Sequence, residues 1–158
     1  MKKRLFCILL AFVLVFSLGV TGCAKKDKTS GTAITVESVT ASAGKNVKIP
    51  VTISGNPGIM ALLIDFKFDS KVLEYVGFDK GKIFSDYEIS DTDGNLRLIC
   101  VENEDVKGNG ELLTLEFKVK SKDVKETEVS VEIVENSICN YNEELIAAKG
   151  KNGTVKIK

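Results

Sequence analysis

The sequence predicts an all-β fold, a nine-stranded β-sandwich, on three observations. From Ile34 onward, apolar and polar residues alternate in short runs broken by Gly, Asn, Asp and Pro, the pattern of half-buried strands. Nine such runs fit within about 125 residues, which favours a sandwich over an α/β arrangement. No segment sustains a 3.6-residue apolar period; the best helical candidate is a turn or two at 121–124.

In chain order the candidate strands are 34–40, 47–54, 59–68, 73–79, 83–89, 96–102, 112–120, 128–138 and 153–158. The third is the most informative. Met60, Leu62, Ile64, Phe66 and Phe68 alternate with Ala61, Leu63, Asp65 and Lys67, and the set ending in two charges must face outward. Ala61 and Leu63 therefore join Asp65 on the outer face. In the sixth strand Arg97 points out, placing Leu96, Leu98 and Cys100 inside and Ile99 and Val101 outside. The seventh is conventional, with Leu113, Leu115, Phe117 and Val119 in and Thr114, Glu116 and Lys118 out. The third and sixth strands thus expose aliphatic groups where solvent-facing strands usually carry polar ones.

Composition narrows the function. Among 158 residues there is no His, which removes the commonest general base and metal ligand. The absence of Trp and the presence of three Tyr, Tyr75, Tyr87 and Tyr141, weaken any reading that needs stacking platforms for sugars or bases. A formal net charge of zero gives no electrostatic footprint for nucleic acid. The expectation is a small non-enzymatic binding module with no cofactor and no metal of its own.

The first 22 residues read as an export leader. Lys2, Lys3 and Arg4 precede an apolar run from Leu5 to Val20, shorter than the roughly 20 residues that span a bilayer. Val20-Thr21-Gly22-Cys23 resembles the lipobox of bacterial lipoproteins, which implies a diacylated Cys23 as the mature N-terminus. The leader holds three of the 22 basic residues and none of the 22 acidic ones, leaving a formal charge of −3 on the rest. Two acyl chains, at about 0.8 kcal/mol per buried CH₂, form a stable anchor. Residues 23–33 read as the lipidated N-terminus and a flexible stalk, reaching at most ~35 Å when extended. The sandwich is assigned to 34–158, on the extracellular face of the membrane.

Asp91-Thr92-Asp93-Gly94-Asn95 carries calcium-loop residue types, but Gly is fourth rather than sixth and a strand follows. Asp-Gly between apolar runs reads as a hairpin turn instead. Beyond the leader and Cys23, Cys100 and Cys139 are the thiols left in an exported domain, where a disulfide must be considered. Cys100 sits at a core position, so two free thiols are favoured. The acidic stretch 102–105 reads as a solvated loop, with pairing to basic residues of a partner as the alternative.

Gly58-Ile59 through Phe68-Asp69, followed by Val72-Leu73-Glu74 and Gly77-Phe78-Asp79-Lys80-Gly81, resembles a cohesin, the receptor for dockerins in cellulosomes and related bacterial surface assemblies. The resemblance extends back through Ala43-Gly44 and 47–51 and forward through 108–119, 129–134 and 153–157. It implies a jelly-roll sandwich that binds a dockerin through the third, fifth, sixth and eighth strands. The partner-binding residues it then suggests are Ala61, Leu63, Asp65, Ile99 and Val101. It also implies dockerin-bearing partners, polysaccharide-degrading enzymes among them, with calcium held by the dockerin. Type I cohesins carry an Asn and an Asp where this chain has Ala61 and Leu63, which suggests a more apolar partner face. The alternatives are a carbohydrate-binding sandwich and a structural cell-envelope domain without a dockerin.

Overall fold

The computed structural model describes residues 31–158. The expected leader, the Cys23 lipobox and the stalk up to residue 30 lie outside the described residues. Within them the chain forms eleven strands: β1 (Thr32–Val36), β2 (Val39–Ala41), β3 (Asn46–Ser54), β4 (Ile59–Phe68), β5 (Leu73–Lys80), β6 (Glu88–Thr92), β7 (Asn95–Val106), β8 (Gly110–Val119), β9 (Glu126–Cys139), β10 (Ala148–Lys151) and β11 (Gly153–Ile157). They build a five-stranded sheet ordered β10-β1-β3-β8-β5 and a six-stranded sheet ordered β2-β11-β9-β4-β7-β6. The inner faces meet in one core whose largest fully buried side chains include Phe66, Phe117, Ile64, Leu98 and Ile49. Each such side chain contributes roughly 1.5–3 kcal/mol by burial.

Several expectations are corrected. The first expected strand is two: β1 belongs to the five-stranded sheet and β2 to the six-stranded one. The chain crosses between the sheets at Glu37 and Ser38, where the Glu37 amide donates to the Pro50 carbonyl at 2.9 Å. This crossing presses on Gly153, where an added Cβ would lie 2.7 Å from the Val36 carbonyl oxygen. β1 also starts at Thr32, two residues before the expected first strand, and the Thr32 hydroxyl donates to the Gly55 carbonyl at 3.1 Å. No helix forms at 121–124 or elsewhere among the described residues; the segment is a bend leading into β9.

The expected strand at 83–89 is mostly a loop, and β6 starts only at Glu88. Phe84 and Tyr87 are both buried, and their three-residue spacing does not fit a period-2 strand. Their rings meet edge to face, 6.3 Å between centroids, and the Tyr87 hydroxyl accepts from the Phe84 amide at 3.3 Å. β10 has no apolar alternation to betray it, being Ala-Lys-Gly-Lys held parallel to β1.

The alternation on β4 holds from Leu62 to Phe66 but slips at its start. A register shift between Ile59 and Ala61 opposite β7 turns Ile59 inward and leaves Met60 only half-buried. Phe68, also expected in the core, is half-buried and packs edge to face on Phe117 at 4.9 Å. Thr114, expected outside, is buried, its hydroxyl donating to the Glu111 carboxylate at 3.0 Å.

Candidate partner-binding face

Strands β9, β4, β7 and β6 lie side by side, so the outer side of the six-stranded sheet forms a surface whose rows follow from register. Residues paired across a ladder share a face. Ala61 lies opposite Val101 on one side and Cys139 on the other. Leu63 lies opposite Ile99, which in turn faces Glu88 at the edge. Asp65 pairs with Arg97 and Glu132, and Lys67 with Asn95 and Ser130. The structure thus brings Ala61, Leu63, Ile99 and Val101 together as an aliphatic block two rows deep. Val101 is 53% exposed, while Ala61, Leu63 and Ile99 are half-buried among their neighbours.

Asp65 occupies the same face but in a different state from its aliphatic neighbours. It is only 8% exposed and is gripped by Arg97, which donates from Nε to Oδ1 at 2.8 Å and from Nη2 to Oδ2 at 2.7 Å. The Arg97 hydrogen bond holds its carboxyl below the usual carboxylate range, against the opposing effect of burial. Lys67 pairs with Glu132 at 2.6 Å, so both central charged positions of β4 are neutralised within the sheet.

Bulges shape the upper end of this face. β9 runs from Ile133 to Ile138 while β4 runs only from Ile64 to Leu62, so residues 134–137 arch out of the ladder. Asn136 takes φ 56° there, a conformation Asn tolerates. The Ser137 hydroxyl lies within donating distance of the Leu63 carbonyl oxygen at 2.7 Å and of the Val134 carbonyl oxygen at 2.6 Å. In β7 the acidic residues 102–105, expected as a solvated loop, form a second bulge between Val101 and Val106. Glu102 accepts from the Ser85 amide, from the Ser85 hydroxyl at 2.9 and 2.7 Å, and from the Asp86 amide at 3.3 Å. These bonds, the Ser85 amide first, lower its carboxyl pKa. Alternation gave no hint of this role, which depends on Ser85 and Asp86 coming to rest directly beside β7 in continuation of the β6–β7 pairing.

Asp93 and Gly94 form the β6–β7 hairpin turn, with φ 22° and 87° and Thr92 paired to Asn95. An added Cβ at Gly94 would lie 2.9 Å from the Phe68 carbonyl oxygen, so close approach as well as φ selects glycine. Among the described residues no group of three His, Cys, Asp or Glu is arranged to hold a metal ion. Cys100 and Cys139 are free. Cys100 is registered with inward Leu62 and Cys139 with outward Ala61, so they occupy opposite sides of the sheet with β4 between them. Two strand spacings exceed the Cα separation a disulfide spans. Of the tyrosines, Tyr87 is buried, Tyr75 packs on Phe117 at 5.9 Å, and Tyr141 is 62% exposed.

A closed sandwich with an aliphatic block on one open sheet is the architecture of an interaction module. The chain belongs to the cohesin family: the family model "Cohesin domain" matches residues 32–157. Cohesin domains are non-catalytic protein-interaction modules. The chain is similar to Cellulose-binding protein A of Clostridium cellulovorans, 28% identical over 140 residues, covering 79% of this chain and 8% of that relative. Among solved structures it resembles the sixth cohesin of Acetivibrio cellulolyticus scaffoldin B, solved with a mutant Cel5 dockerin (TM-score 0.71, 24% identity, 81% and 99% of the two chains). It also resembles the seventh ScaB type I cohesin of Pseudobacteroides cellulosolvens (TM-score 0.73, 17% identity, 81% and 92%). A third is a non-cellulosomal cohesin of the archaeon Archaeoglobus fulgidus (TM-score 0.72, 18% identity, 81% and 91%).

Proposed function

We propose that this cohesin receives a dockerin on the open face of β9, β4, β7 and β6 and tethers dockerin-bearing proteins, polysaccharide-degrading enzymes among them, to the outer cell surface. The observation that carries this reading is the aliphatic block of Ala61, Leu63, Ile99 and Val101, contiguous across two central strands. Contiguous exposed apolar groups on one sheet mark a contact surface, whereas scattered ones do not. Asp65, locked to Arg97, acts at the margin by holding a flat, neutral boundary. Calcium belongs to the dockerin, and the lipobox ending at Cys23 supplies the membrane anchor. Labelled fatty acid incorporation that Cys23→Ala abolishes supports the anchor, and a mature N-terminus downstream of Cys23 without lipid overturns it.

The face is tested by calorimetric titration with a panel of dockerin modules, the Cel5 dockerin included. Val101→Asp and Leu63→Asp are expected to cost on the order of 2 kcal/mol of binding, as central interface residues do. Val101→Asp leaves the melting temperature nearly unchanged, because more than half of that residue is already in water. Lys118→Asp, exposed on β8 of the other sheet, changes neither binding nor melting. Wild-type affinity in a folded Val101→Asp, Leu63→Asp pair rules this face out.

A further inference from the structure

The aliphatic row does not stop at β9. Cys139 forms an isolated antiparallel bridge with Leu145, so the outer side of the sheet continues from Val101 through Ala61 and Cys139 to Leu145. Leu145 is 60% exposed and Tyr141, on the intervening turn, 62%. With Val101 they are three of the four large apolar side chains left most exposed among the described residues, the fourth being Val76 on the other sheet.

The turn that presents them is tightly bonded. The Asn140 side chain accepts from the Asn142 and Glu144 amides at 3.0 and 2.9 Å and donates to the Glu144 carboxylate at 2.7 Å. The Glu143 amide donates to the Asn140 carbonyl at 3.0 Å, and the Ile146 amide to the Ile138 carbonyl at 2.9 Å. Asp105, from the β7 bulge, accepts from the Tyr141 amide at 2.6 Å and ties the turn to β7 across the end of β4. A preordered segment holding two apolar side chains in water has already lost the entropy that binding would otherwise cost. Tyrosine in particular is enriched where interfaces carry their affinity. The surroundings are mostly acidic: Glu102, Glu104 and Asp105 on the β7 bulge, Glu135 on the β9 bulge, and Glu143 and Glu144 on the turn, with Lys107 beside Asp105 as the nearby opposite charge.

We propose that the hairpin 139–146 belongs to the partner-binding surface, with Tyr141 and Leu145 packing on the same dockerin that covers Leu63, Ile99 and Val101, and that this dockerin presents an apolar patch flanked by Lys or Arg. The proposal rests on the dockerin-receptor reading and deepens it. Continuity of the apolar row argues for one partner spanning both parts, and the acidic border argues for the partner's basic flank.

The test uses the full-length chain and the tightest-binding dockerin of the same panel. Tyr141→Ser and Leu145→Ser are each expected to weaken binding at least tenfold without moving the melting temperature. Glu143→Lys is expected to weaken it several-fold, with wild-type affinity falling as salt rises. Bound dockerin should also shield Cys139 from alkylation by N-ethylmaleimide, read by peptide mapping. Should no dockerin in the panel bind the wild-type chain, the receptor reading fails and this inference with it. Should one bind, with Tyr141→Ser and Leu145→Ser as tight as wild type and Cys139 unprotected, only the extension to the hairpin is overturned.

Discussion

Arg97 on β7 holds both carboxylate oxygens of Asp65 on β4, at 2.8 and 2.7 Å, across one strand spacing of the open face. The fork geometry matches a carboxylate in a way that a lysine there would not. Because the hydrogen bond to Arg97 lowers the Asp65 pKa on folding, the pair's stabilisation is fully present above the unfolded aspartate pKa. It fades as pH falls through the lower, folded value.

Arg97→Gln is therefore expected to melt a few degrees below wild type at pH 7. The gap should start to narrow below about pH 4, where the unfolded aspartate takes up its proton. Thermal melts across pH 2–7 check this. A gap that stays constant down to pH 2 would assign the loss to packing of the arginine stem instead.

The two thiols on either side of β4 are expected to differ sharply in reactivity. Cys100 is 1% exposed and burial pushes its pKa up to about 12, so at pH 8 roughly one molecule in ten thousand carries the thiolate. Cys139 is half-buried on the outer face. Brief alkylation of the native chain should label the Cys139 peptide and spare that of Cys100, whereas unreduced, denatured chain should be labelled at both. Failure of both to react after denaturation would demonstrate a disulfide and contradict their placement on opposite faces.

Glu102 is expected to control the loop between β5 and β6 rather than global stability. Its carboxylate satisfies the Ser85 and Asp86 amides at an exposed site. Glu102→Ala should speed amide hydrogen exchange at those two residues about tenfold or more, with little change in melting temperature. Exchange at wild-type rates would mean that the Phe84 and Tyr87 rings alone fasten the loop.

What the sequence by itself determined is the two-layer β architecture and the in–out assignment along the regular parts of β4, β7 and β8. Leu62, Ile64 and Phe66 face the core and Leu63 faces out because a strand has a side-chain period of two, and only one phase keeps Asp65 and Lys67 out of the interior. The same alternation put Ile99 and Val101 outside, and the resemblance to cohesins implied that their strand shares a sheet with β4, so together they made the aliphatic block legible before any coordinate. Tertiary structure alone decided the features that break that period. The bulge of 102–105 against Ile59–Ala61, the bulge at 134–137, the sheet-to-sheet crossing at Glu37 and Ser38, and the pairing of lysine-rich β10 depend on which strand arrives alongside. A bulge exists only relative to a partner ladder, and a lysine-rich edge is recruited by the hydrogen bonds β1 leaves open, so neither has a signature in its own residues. The exposed Tyr141 and Leu145 belong to this second group: the Asn140 turn and the reach of Asp105 from another strand set where they point.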